Sequence, residues 1–155
     1  MEAFQGRIRH AHPEEAKTIT DMVVRSKAYW GYDAQFMANV LQFLIIDAQY
    51  IQDMDTFVAI LEEKIVGVVT LAPLDSEDVE IDHLFVDPSA IGKGVGKALW
   101  QYALRSVRSK NFKRIFLIAD PNAERFYIHM GAVRIGDEPS SAIEGRKLPL
   151  MRYDL

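Results

Sequence analysis

Residues 81–100 read IDHLFVDPSAIGKGVGKALW, and no other stretch restricts the fold as strongly. An apolar strand runs into an Asp-Pro turn, then three alternate glycines, Gly92, Gly94 and Gly96, and then a helix. Glycine keeps side chains out of the turn, so backbone N–H groups and the positive end of the helix dipole converge on one point. That order predicts an anion cradle for a ligand that carries phosphate. A glycine turn that merely lets a strand enter a helix tightly has the same local look.

Spacing narrows the ligand. A dinucleotide fingerprint GxGxxG begun at Gly92 needs glycine where Lys97 stands, which disfavours a nucleotide-binding oxidoreductase. A nucleoside-triphosphate loop ending at Gly96-Lys97 needs glycine in place of Ile91 and Ser or Thr in place of Ala98. Neither pattern fits.

Upstream, residues 7–11 predict a short strand. Pro13, Glu14 and Glu15 open a helix to about Ser26, with Ala16, Ile19, Met22 and Val23 on its apolar face. The run KAYWGYDAQF groups Tyr29, Trp30, Tyr32 and Phe36 around Gly31, and Asp33 caps a second helix striped by Phe36, Met37, Val40, Leu41 and Leu44. Aromatics at such a turn either line a substrate pocket or anchor a core; Trp30 and Tyr32 are the pocket candidates. Residues 56–62 and 65–72 predict a hairpin across Glu63-Lys64.

The strand 79–86 leads into the glycine loop. Strict alternation puts Glu80, Asp82, Leu84 and Val86 on one face and Ile81, His83 and Phe85 on the other. Two carboxylates on a central strand mark either chemistry or a strand start that protrudes into solvent. The helix after the loop should end near Ser109 to Asn111. The unbroken apolar run 113–119 predicts a strand buried on both faces and parallel to 79–86 in a right-handed βαβ unit. Asp120-Pro121-Asn122 then starts a short helix, AERFYIHM, closed by Gly131. Strand 133–136, a polar loop 137–145 and strand 148–153 finish the chain, with Pro149 pushing the last strand toward an edge or a bulge.

Two motifs in this order, about thirty residues apart, carry a resemblance. The first is the strand end and turn followed by Ile91, Gly92, Lys93, Gly94, Val95 and Gly96. The second is Ala123, Phe126-Tyr127 and Met130-Gly131-Ala132. Together they resemble the coenzyme-A loop and the tyrosine helix of the GCN5-related N-acetyltransferase superfamily, over essentially the whole chain. Two positions depart from the pattern: Ile91 replaces the usual Arg or Gln, and Asp120 stands where Asn is common, with Asn122 a neighbouring substitute.

The resemblance implies one α/β domain over residues 1–155, with a mixed, mostly antiparallel sheet flanked by helices and splayed between a parallel strand pair. It implies acetyl-CoA as acyl donor, its pantetheine arm paired along Leu84, Phe85 and Val86, its phosphates on residues 91–97, with Lys93 and Lys97 adding charge, and with Asp120, Asn122 and Phe126 nearby. It implies acetyl transfer to a primary amine of a small molecule or peptide by direct attack in a ternary complex. An alkyl ammonium with pKa near ~10 must lose a proton before attack. Glu80 is the first candidate base and His83, with an ordinary pKa near ~6.5, the second. Tyr127 is the candidate acid for the departing thiolate. A homodimer is compatible with the family. A non-catalytic acyl-CoA sensor is the competing class.

Composition bounds the rest. A net charge of −4 argues against nonspecific nucleic-acid binding. The lack of cysteine removes disulfides and thiolate metal sites and fits a cytoplasmic protein, and no metal is expected. No apolar run approaches the roughly 18 residues of a membrane span.

Overall fold

A computed structural model describes residues 3–155; Met1 and Glu2, which the expected domain includes, lie outside them. Strand β1 (Arg7–His10) is followed by a 3-10 turn (Pro13–Glu15) and helix α1 (Ala16–Ala28). Then come α2 (Ala34–Val40), α3 (Ala48–Asp53), β2 (Asp55–Leu61), β3 (Lys64–Pro73) and β4 (Asp78–Val86). Helix α4 (Val95–Ser109), β5 (Arg114–Ile118), α5 (Glu124–His129), β6 (Val133–Pro139) and β7 (Lys147–Asp154) complete the order.

The strands form one sheet in the order β1-β2-β3-β4-β5-β7-β6, antiparallel except for β4 beside β5. That parallel pair is joined only through Asp78↔Arg114, Val79↔Ile115 and Glu80↔Phe116. Beyond Glu80 the two strands separate into a wedge, as the family resemblance implied. Two apolar layers hold the sheet. On one face α4 and α5 bury Leu99, Trp100, Val107 and Tyr127 against Leu71, Val79, Ile81, Ile115 and Leu117. On the other, Ile19, Met22, Val23, Val40 and Ile51 pack on Val58, Ile60 and Val68. Each fully buried large side chain of this kind contributes roughly 1.5–3 kcal/mol. Among the described residues no helix is long and apolar enough to cross a membrane.

Several expectations are corrected. The hairpin turn is Glu62-Glu63, both at positive φ (50° and 63°), because a two-residue turn that follows the strand twist needs that backbone even where glycine is absent. The second helix stops at Val40, and Leu41 is exposed rather than part of the buried stripe. Helix α3 carries no strong sequence signal; Asp47 caps it by accepting from the Tyr50 N–H. Strand β5 alternates, with Ile115 and Leu117 buried and Ile118 exposed, because nothing covers its second face at the wedge. Strand β7 is internal, between β5 and β6, and Pro149 is accommodated just beyond the last β5 pair, where its carbonyl accepts the Ala119 N–H.

The correction with most consequence is on β4. Thr70 pairs with His83 and Leu71 with Ile81, so Asp82 is an extra residue in the ladder, a β-bulge. The bulge reverses the alternation: Val79 and Ile81 share a face with Leu84 and Val86, while Phe85 packs into the opposite layer.

Candidate active site

The loop that ends β4 is held from three sides. The Asp87 N–H donates to the Val66 carbonyl at 2.7 Å, Ala90 N–H donates back to Asp87, and the Arg25 Nε of α1 donates to the Asp87 carboxylate at 3.0 Å. Burial pushes the Asp87 carboxyl up, but the Ser89 hydroxyl and Arg25 outweigh it and hold it below the ordinary carboxylate range. Gly94 then takes φ +75° at the N-cap of α4, a backbone that L side chains resist, and no side chain caps the helix. The first N–H groups of α4 are therefore left for solvent or a ligand. At Gly96 an added Cβ would lie 3.2 Å from the Phe126 ring, so the absent side chain lets α4 and α5 close together.

Between the splayed strands lies a cavity of about 440 Å³ that reaches Gly96 and Ile91 at one end and Trp30, Asp120 and Asn122 at the other. Leu84, Phe85 and Val86 form one wall, and past Glu80 their strand has no hydrogen-bonded neighbour on the β5 side. Phe126 and Tyr127 form the floor. Tyr127 is buried against Trp100, ring centroids 6.0 Å apart, and burial pushes its phenol well above the ordinary value, with the charge of Asp120 adding to the effect.

A second cavity of about 260 Å³ adjoins the first, with Lys27, Ile81, Asp82, Ile118 and Leu148 lining both. Glu80 and Arg146 both line it. Glu80 is half-buried, and burial, followed by the neighbouring Asp82 charge, raises its carboxyl above the ordinary range. Asp82 accepts from the Tyr50 hydroxyl at 2.7 Å and lies 3.4 Å from His83 Nε2. His83 is 7% exposed, and burial lowers its imidazole despite Asp82.

A third group braces the junction. Lys27 Nζ donates to Asp120 at 2.6 Å, the Tyr32 hydroxyl donates to the same oxygen at 2.8 Å, and that hydroxyl accepts from Arg146 at 2.9 Å and Asn122 at 3.0 Å. Burial pushes Asp120 up, but the Lys27 hydrogen bond and charge, the Asn122 N–H and the Tyr32 hydroxyl together hold it below the ordinary range.

Of the residues singled out in the sequence, Trp30, Leu84, Phe85, Val86, Ile91, Gly96, Asp120, Asn122, Phe126 and Tyr127 meet around the larger cavity. Glu80 lines the smaller one, and Tyr32 stands behind both, stacked on Phe36 at 3.9 Å. His83 lines neither. Gly92, Lys93, Gly94, Val95 and Lys97 also stand outside the larger cavity, and Lys97 borders a separate depression beside Phe4 and Arg105. Sequence reasoning missed Lys27, Tyr50 and Arg25. Lys27 had a faint signal, since it opens the KAYWGY run; the other two have none, because their partners are remote in the chain. Among the described residues no group of three or more His, Asp or Glu side chains could hold a metal ion.

Residues 21–132 match the model of the acetyltransferase (GNAT) family. Among solved structures, the GCN5-related N-acetyltransferase of Rhodopseudomonas palustris superposes with a TM-score of 0.82 at 20% identity, covering 100% of this chain and 99% of that one. PaiA N-acetyltransferase of Thermoplasma acidophilum, in complex with coenzyme A, gives 0.79 at 15% identity over 98% and 100%. A GNAT family acetyltransferase of Elizabethkingia anophelis with acetyl-CoA bound gives 0.59 at 19% identity over 69% and 80%. No curated protein matches the chain in sequence.

Proposed function

The chain belongs to the acetyltransferase (GNAT) family, and from that premise we propose that it moves an acetyl group from acetyl-CoA to a primary amine within a ternary complex. The supporting observation is the continuity of the two cavities: the wedge that starts at the glycine loop opens, across Asp82 and Ile118, onto Glu80. A thioester entering from one end and an amine from the other would meet at the β4 bulge.

Acetyl-CoA supplies an already activated carbonyl. The residues of the chain have three tasks: hold the two reactants in line, polarise that carbonyl, and move two protons. The unpaired edge of β4 beyond Glu80 offers backbone groups to an extended pantetheine arm, and the uncapped N-terminus of α4 offers N–H groups to phosphate. The bulged Asp82 has backbone outside the regular ladder, a donor for the carbonyl oxygen. Glu80 takes the proton from the ammonium, its raised affinity bringing it closer to neutral pH. His83 is the less suited base, being buried outside both cavities. Tyr127 stays protonated at any working pH and donates a hydrogen bond to the departing sulfur. In balance, the new C–N bond replaces the C–S bond; the ammonium loses one proton to Glu80 before attack and a second when the C–N bond forms, and that second proton reaches the departing sulfur by relay through the Tyr127 hydroxyl, which ends protonated as it began.

The test is a turnover screen that reads thiol release from acetyl-CoA across amines, amino acids and peptides, beside a thermal-shift titration. At one hundred times Kd, acetyl-CoA should stabilise the fold by about 2.7 kcal/mol. No stabilisation overturns the donor assignment; stabilisation without transfer to any amine favours the sensor class.

A further inference from the structure

The smaller cavity has two poles. Its lining carries the carboxylates of Glu80 and Asp82 from β4, the guanidinium of Arg146 from the loop before β7, and the apolar Val40, Phe43 and Leu44. Lys27 does not count toward the positive pole, because Asp120 neutralises it at 2.6 Å. Arg146 is different. Its distance to Asp120 is 4.0 Å, and the one side-chain hydrogen bond found for it among the described residues goes to the Tyr32 hydroxyl. Its guanidinium lies 4.7 Å from the Phe36 ring centroid, with a side chain only 18% exposed. A guanidinium has five N–H donors in a rigid fork, and beyond the Tyr32 hydroxyl and the 4.0 Å approach to Asp120 most of this fork meets no hydrogen-bond acceptor among the described residues. A planar carboxylate is the group that such a fork matches.

We propose that this cavity receives the acceptor as a zwitterion, a small molecule bearing a carboxylate as well as its amine, as free amino acids do. Its carboxylate sits on Arg146 and its ammonium beside Glu80 and Asp82. This inference rests on the acetyltransfer reading of the same site and narrows it. Ser141, exposed on the same loop, adds a hydroxyl to the lining, and Val40, Phe43 and Leu44 offer apolar surface to an aliphatic or aromatic side chain that branches from the carbon bearing both charged groups. A polyamine would place a second cation against Arg146 and is rejected.

The experiment compares leucine, leucinamide and 3-methylbutylamine, which share a side chain and an amine and differ in the carboxylate. Transfer from acetyl-CoA and equilibrium binding by calorimetry are both measured, on the wild type and on Arg146→Gln. Leucine should exceed both analogues in kcat/KM by roughly 10- to 100-fold, as expected for a charge-assisted pair. R146Q should lower the value for leucine at least tenfold more than the value for 3-methylbutylamine. Equal use of the three compounds, or an equal loss on all three in R146Q, overturns the zwitterion. Transfer to the amine alone also overturns it while leaving acetyltransfer intact. Leucine that binds through Arg146 without being acetylated upholds the zwitterion site and sinks the enzyme reading instead.

Discussion

The two ends of the crevice are built in different ways. At the glycine-loop end the groups that would touch a ligand are main chain: the open edge of β4, the turn through Gly94 and the first N–H groups of α4, all within one run of residues. At the Glu80 end they are side chains, Lys27, Tyr32, Glu80, Asp120 and Arg146, delivered by four separate segments and locked by ion pairs and stacked rings. A site made of backbone would need few particular side chains, so Ile91 would not by itself exclude a ligand from this loop. A site made of side chains depends on each one.

That contrast can be broken by mutation. The largest effect is expected at Glu80: Glu80→Gln should cost about 10²- to 10⁴-fold in kcat/KM. Because burial and Asp82 raise the Glu80 carboxyl, wild-type activity should fall as pH drops through that raised value. In the variant this acidic limb should be gone; a limb unchanged in E80Q moves the base elsewhere, to His83 first. At the other end, Gly94→Val forces a β-branched residue into φ +75° and puts a side chain into the cradle. Acetyl-CoA affinity should drop about 100-fold by calorimetry while far-UV circular dichroism keeps its native shape, the backbone strain alone being about 1–2 kcal/mol. Undiminished binding would show that side chains, not main chain, hold the donor.

Lys27→Met should cost about 3 kcal/mol of stability in denaturant unfolding, because it leaves the buried Asp120 carboxylate with only the more distant Arg146 as a cationic partner. Asp120→Asn in the same background should restore part of it. The sign of the pH effect follows from the lowered Asp120 value: the stability it contributes is complete above the unfolded pKa of about 3.9 and is lost as pH falls through the lower folded one. The Lys27→Met protein should therefore lose less stability on acidification below about pH 4 than the wild type. The smallest effect is expected from Tyr127→Phe, about tenfold in kcat for one hydrogen bond to sulfur. Its ring keeps the contact with Trp100, so the melting temperature should hardly move. Full turnover in that variant removes Tyr127 from the reaction.

The parts legible in advance and those that were not divide along the same line. The strand, glycine loop and helix could be read because each residue type acts on its own neighbours: glycine permits the turn, and Val95, Leu99, Ala103 and Val107 recur at the helical period. The mixed sheet and its wedge were implied by the family resemblance that the two motifs carry. The face of β4 could not be read, since one extra residue at Asp82 reverses every side chain after it and nothing in the alternation announces a bulge. Ile118 looked like core because its strand is apolar throughout, and only the separation of β4 from β5 leaves it exposed in the crevice. Arg146 lies just past the polar loop 137–145, and its partners could not be read, since Tyr32 and Phe36, 114 and 110 positions earlier in the chain, are brought against it only by the fold.

By itself, then, the sequence determined most of the elements, α3 excepted, together with the glycine turn and the tyrosine helix, because local backbone preference and apolar periodicity are properties of neighbouring residues. Tertiary structure alone decided which carboxylate faces the crevice and how closely each cation there approaches Asp120. Those depend on register and on distances between remote side chains, where one bulge, or 4.0 Å in place of 2.6 Å to the same carboxylate, separates Arg146 from Lys27.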